Sequence, residues 1–119
     1  MKKDLTKAEE QIMQALWKIN KGFAKDILEQ LESPKPAYNT VLTVVRVLVK
    51  KGFVKYKTYG KSNEYYPTIS KEVYSKQQLD KLKNNYFNKS AKELLSFFVK
   101  DQNLSLQDIE VILNELKKD

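Results

Sequence analysis

Four polar side chains recur along a Val-rich stretch at a spacing that a helix turns into one surface. Asn39, Thr43, Arg46 and Lys50 are separated by four, three and four residues. At 100° per residue they fall within an arc of about 60°. Opposite them lie Val41, Val44, Val45 and Leu48, an i, i+3, i+4, i+7 stripe. A strand would scatter the four polar residues over both faces. The β-branched content argues for a strand, but the periodicity decides for a helix, ended by Lys50-Lys51-Gly52. The chemistry open to this face is hydrogen bonding and charge neutralisation. Asn pairs bidentately with adenine and a Thr methyl contacts thymine. Asn39, Thr40 and Thr43 stand in the first turns, where a helix in the major groove meets base edges. Arg46 and Lys50, further along, suit phosphates. The alternative is an ordinary solvated helix face.

Other constellations point away from catalysis. There is no His and no Cys, which removes the commonest general base, the commonest metal ligand and any thiolate nucleophile. No catalytic residue, metal or cofactor is expected, and a small hydrolase is a remote reading. Gly60-Lys61-Ser62 resembles part of a phosphate loop, but that motif needs Gly five positions before Gly60, where Lys55 stands. A basic hairpin tip lying along a DNA backbone accounts better for Lys57 and Lys61; the alternative is a solvated turn. Glu9, Glu10 and the acids of the tail read as helix caps and solvated faces. Tyr56, Tyr59, Tyr65 and Tyr66 read mainly as packing between hairpin and helices, with base stacking as the less favoured use.

The elements that must position this face follow from capping and turn signals. Thr6-Lys7-Ala8-Glu9 is a capping box opening a first helix, with Ile12, Leu16 and Ile19 at helical spacing and Asn20-Lys21-Gly22 as its stop. A short second helix is expected from about Ala24 to Leu31, with Ile27, Leu28 and Leu31 inward. Ser33-Pro34-Lys35-Pro36 is a turn, with Pro36 suited to a helix start. After the third helix, Phe53 to Tyr59 alternates as a strand. Gly60 to Asn63 turns, and Glu64 to Ile69 returns. Helices are then expected from about Lys71 to Tyr86 (carrying Val73, Leu79, Leu82 and Tyr86), from Ala91 past Phe98, and from Ser105 onward. Asn88-Lys89-Ser90 breaks the first two, and Leu104 with Ile109 would staple the last.

Charge has a location. The net +7 divides into 13 basic against 7 acidic residues over positions 1–70, and 9 against 8 over 71–119. Between Ser33 and Ser70 stand Lys35, Arg46, Lys50, Lys51, Lys55, Lys57 and Lys61 against Glu64 alone. A basic stripe confined to one region is the footprint of a polyanion binder. The tail is different: Leu94, Leu95 and Phe98, then Ile109, Ile112, Leu113 and Leu116, form two apolar stripes with little net charge. A tail this short cannot bury both on itself. Pairing with a second copy would bury them and match a palindromic site; the alternative is folding back on its own domain. The start Met1-Lys2-Lys3-Asp4-Leu5 lacks the apolar run of a signal peptide, and no apolar stretch approaches ~20 residues. A cytoplasmic protein without membrane insertion is expected.

The fold class read from these features is mainly α. It is a winged helix-turn-helix of three helices plus a two- or three-stranded β wing over residues 1–70, with a C-terminal helical dimerisation tail over 71–119. Its partners would be double-stranded DNA and a second copy of itself. The alternative function is a winged-helix protein-interaction module, which the lysine-rich stripe disfavours.

Several ordered segments resemble the penicillinase-repressor family. They are Leu5-Thr6-Lys7-Ala8-Glu9, Ile12-Met13-Gln14-Ala15-Leu16-Trp17, Tyr38-Asn39-Thr40-Val41, Leu48-Val49-Lys50-Lys51-Gly52-Phe53-Val54 and Tyr65-Tyr66-Pro67, with the tail from Leu104-Ser105 and Ile109 onward. The resemblance implies a winged-helix repressor that binds inverted-repeat operators as a dimer through its C-terminal helices. It implies DNA contacts at Asn39, Thr40, Thr43 and Arg46 and in the wing near Lys61. A membrane sensor metalloprotease, whose signal ends in repressor cleavage, is the implied partner. Two departures matter. Without Cys, the metal-binding tail of copper-sensing members is missing. The antibiotic-resistance members are cleaved between Asn and Phe, whereas the matching stretch, Leu94-Leu95-Ser96-Phe97-Phe98-Val99, has no Asn before Phe. Leu42, beside the reading face where the family often has a polar residue, points to a different operator.

Overall fold

The computed structural model describes residues 4–118. Met1–Lys3, part of the start inspected for a signal peptide, lie outside the described residues. The elements run α1 (Lys7–Ile19), α2 (Ala24–Gln30), α3 (Tyr38–Lys51), β1 (Val54–Tyr59), β2 (Ser62–Pro67), α4 (Lys71–Tyr86), α5 (Ala91–Asp101) and α6 (Leu106–Lys117). The chain divides into two compact units, residues 1–75 and 76–119. Among the described residues, no helix is long and apolar enough to cross a membrane.

The first unit is a winged helix. Thr6 and Glu9 form the expected reciprocal capping box at the start of α1. Asn20, at φ 72°, ends that helix by donating its backbone N–H to the Leu16 carbonyl. The chain then passes Gly22, which exchanges both backbone hydrogen bonds with Tyr65 at 2.9 and 2.8 Å. This isolated bridge is a minimal third strand beside the two-stranded antiparallel sheet of β1 and β2. Gly suits the crowding there: a Cβ would come within 2.8 Å of Ile19 Cδ1 and 3.0 Å of Asp26 Cβ, so both neighbours would have to shift. Asp26 in turn accepts from the Phe23 amide at 2.9 Å and caps α2.

α3 is helical despite its seven β-branched residues, because its apolar stripe is the centre of the core. Val41, Val45 and Leu48 are fully sealed, against Met13 and Leu16 of α1, Ile27 of α2, and Phe53 and Val54 at the start of the hairpin. Each such side chain contributes about 1.5–3 kcal/mol on burial, more than the helix-propensity deficit of Val. Gly52, at φ 88°, closes the helix in the left-handed region that a Cβ disfavours. Two details differ from the sequence expectation. Ala37 is the N-cap of α3, so Pro36 precedes the helix rather than starting it. The hairpin turn is only Gly60-Lys61, because Tyr59 pairs with Ser62, and β2 ends at Pro67 before Ile69.

A part-buried ion pair ties α1 to the end of α3. Glu9 is 6% exposed, and its carboxylate accepts from Lys51 Nζ at 2.7 Å. Lys51 also donates to the Asp4 carbonyl. Burial pushes the Glu9 carboxyl up, but the hydrogen bonds from Lys51 and Thr6 and the Lys51 charge outweigh it and hold it below its ordinary value. Glu9 is therefore a cap as expected, but not a solvated one. The first turn of α4 also packs into this unit. Tyr74, not the Val73 that the sequence pattern singled out, is the buried residue. Its ring meets Trp17 and Phe53 at 5.5 and 6.1 Å between centroids, and its hydroxyl donates to Glu10 at 2.9 Å. Burial first, then the Glu10 carboxylate, pushes the Tyr74 phenol up to about 12.

The second unit is helical. Ser90 caps α5, and Ser105 with Asp108 forms a capping box on α6. Left-handed residues Asn88, Lys89 and Asn103 make the turns that separate the helices. Phe87 packs on Phe97 with centroids 5.3 Å apart. No residue of α5 or α6 is buried.

Candidate nucleic-acid interface

α3 presents the polar face that its periodicity implies. Asn39, Thr40, Thr43, Arg46 and Lys50 are all exposed while the opposite stripe is sealed. The Thr43 hydroxyl donates to the Asn39 carbonyl one turn back, at 3.0 Å. That bond occupies the Thr43 donor within the helix and leaves its methyl and lone pairs as the groups available to a base. Thr40 N–H bonds the Ala37 carbonyl at 3.0 Å, so the first turn is formed without a side-chain cap.

The basic stripe is not uniform. Lys51 is spent on Glu9, and Lys35 donates to the carbonyls of Leu28 and Glu29 at 3.1 and 2.8 Å, finishing the C-terminal end of α2. These two of the seven cations are occupied by the fold, which a count along the chain cannot reveal. Lys57 stands opposite Glu64 in the ladder and over the Tyr59 ring at 5.3 Å from its centroid. Lys61 sits at the hairpin tip and borders a notch of about 590 Å³ that also takes in Arg46 and Leu42 of α3. The structure thus brings Arg46 and Lys61 to one place; Lys57 is outside that lining.

Sequence reasoning missed Lys25 and Tyr38, which line the same notch. α2 was read only for its inward Ile27, Leu28 and Leu31, so the one exposed cation at its start passed unnoticed. A hollow of about 1030 Å³ lies elsewhere, along Trp17, Lys18, the Ser33 to Pro36 turn and Pro67 to Lys71, and shares no residue with α3. Among the described residues no cluster of His, Cys, Asp or Glu could hold a metal ion.

In the tail, Leu95, Phe98, Ile112, Leu113 and Leu116 are exposed, and Leu94 and Ile109 are half-buried. Phe97, Leu106 and Val111, outside the expected stripes, are exposed as well.

Comparisons with known proteins bear on this arrangement. A family model described as penicillinase repressor matches residues 5–118. The methicillin resistance regulatory protein MecI of Staphylococcus aureus strain N315 is 26% identical over 116 residues, covering 97% of this chain and 94% of MecI. The penicillinase repressor of Bacillus licheniformis is 24% identical over 119 residues, covering 96% and 90%. Among solved structures, the solution structure of the DNA binding domain of the repressor BlaI superposes with a TM-score of 0.52 at 27% identity. That likeness covers 62% of this chain and 94% of the other.

Proposed function

The chain belongs to the penicillinase repressor family, and from that premise we propose that it is a DNA-binding transcriptional repressor acting as a homodimer on inverted-repeat operators in the cytoplasm. Members of this family are repressors and not enzymes, so no catalytic role is assigned to any residue. α3 enters the major groove: Asn39, Thr40 and Thr43 contact base edges, and Arg46 and Lys50 contact phosphates. The hairpin is the wing, with Lys61 and Lys57 on the DNA backbone. The observation that carries this reading is the exposed polar face of α3, whose other side is the sealed core of a winged helix.

Residues 1–70 serve as the DNA-binding domain and residues 71–119 as the dimerisation domain in this reading. The apolar exposure of Leu95, Phe98, Ile112, Leu113 and Leu116 supports a second copy as the cover, with Leu94 and Ile109 at its margin. A membrane sensor metalloprotease is the partner that would end repression. Ser96, not Asn, precedes Phe97, so release by cutting an Asn-Phe bond in that stretch is not available.

Selection of binding sites from random duplex tests the proposal. An inverted repeat should emerge, with affinity that falls steeply with salt at about −0.9 in log–log slope per neutralised phosphate. Equal binding to every duplex, or none at low salt, would sink it.

A further inference from the structure

We propose that the notch between α3 and the hairpin seats a backbone phosphodiester of the bound DNA, with Lys25 of α2 as a contact beside Arg46 and Lys61. The proposal rests on the DNA-binding reading above and adds a site to it. The three cations come from three separate elements, α2, α3 and the β1–β2 turn, and the notch they line carries no carboxylate. All three are exposed, and none of them is in an ion pair among the described residues. Their convergence is a product of the fold, since Lys25 and Lys61 stand 36 positions apart in the chain. A concave surface lined by one sign of charge focuses its field on an anion.

Neutral donors complete the lining. Asn63 accepts from the Thr58 hydroxyl at 2.8 Å through Oδ1, which leaves its NH₂ to donate outward. Tyr38 and Tyr59 add phenolic hydroxyls. Arg46 shares the α3 face with Asn39 and Thr43. A helix lying in a major groove about 12 Å wide is flanked by two phosphate backbones, and the one on the wing side would pass the notch that Arg46 and Lys61 both line. That position selects a phosphodiester over a free anion.

The test uses the full chain, its selected duplex and a scrambled duplex, with affinities measured by fluorescence anisotropy across a salt series. Lys25→Ala should weaken both duplexes alike and make the salt slope shallower by about 0.9, whereas Lys25→Arg should keep the slope. Replacing single phosphates by neutral methylphosphonates should cost the unmodified protein affinity at the phosphate facing the notch. Lys25→Ala should lose less there than the unmodified protein does, because only Arg46 and Lys61 then remain to meet that phosphate's charge. An unchanged slope in Lys25→Ala, with an unchanged melting curve, overturns the phosphate seat. The DNA-binding reading still stands in that case if Asn39→Ala loses the selected site. No binding to any duplex by the unmodified chain overturns both.

Discussion

Asn39 and Arg46 share one face of α3, yet their removal should have different signatures. Asn39→Ala or Thr43→Ala should cost roughly 1–3 kcal/mol on the selected operator and little elsewhere, because base contacts carry the sequence information. Arg46→Ala should weaken binding to every duplex and flatten its salt dependence, since phosphates are the same everywhere. Competition assays with cognate and scrambled duplexes separate the two. Inside the domain, Glu9 and Tyr74 predict how stability follows pH. The folded-state pKa of Glu9 is lowered, so its contribution is present above the unfolded value of about 4.3. It is lost as pH falls through the folded value. Glu9→Gln should therefore lower the urea midpoint at neutral pH and lessen its decline in acid. Tyr74 has the opposite sense. Raised to about 12, it stabilises the fold below its unfolded value of about 10, and that stabilisation is lost between about 10 and 12. Tyr74→Phe should blunt this alkaline loss, followed by circular dichroism.

At the scale of elements, α3 was legible and much around it was not. Its apolar residues repeat with one period and its polar residues with the same period in opposite phase, so the two faces separate whatever the β propensity of Val. The hairpin was legible as a pair of strands, but its register depended on the two-residue turn at Gly60-Lys61, which a polar run from Gly60 to Asn63 conceals. Tyr74 was hidden for a different reason. α4 has no clean apolar stripe, and the partners that bury Tyr74 are Trp17 and Glu10 of α1 and Phe53 just after α3, two segments distant in sequence. The roles of Lys35 and Lys51 were equally invisible, since one finishes α2 and the other neutralises Glu9. Gly22 looked like a helix stop and proves also to be the bridge to Tyr65. Gly22→Ala should destabilise by about 1–3 kcal/mol through overpacking against Ile19 and Asp26. Denaturant unfolding measures that loss, and hydrogen exchange at the Tyr65 amide should rise with it.

At the scale of the molecule, the two units are built on different terms. The first has a closed core shared by three helices and the wing. In the second, α5 and α6 bury no residue, while Leu106 and Leu116 are 80% and 72% exposed. Exposed apolar side chains in this number are a liability for a monomer, which is the physical basis for the proposed dimer. Polar substitutions at Ile112 and Leu113 together should give a monomer by sedimentation. They should also lower operator affinity, because each half-site is then bound alone. An unchanged mass would return those residues to an intramolecular role. Trp17, the only tryptophan, offers a way to watch the first unit by itself. Its indole N–H donates to the Ile69 carbonyl at 2.8 Å and its ring leans on Tyr74, so its emission should shift red when the start of α4 peels away. It borders none of the α3 reading face, so saturating the protein with operator should leave that emission nearly still. The molecule thus carries an optical gauge of its own integrity that is blind to its cargo.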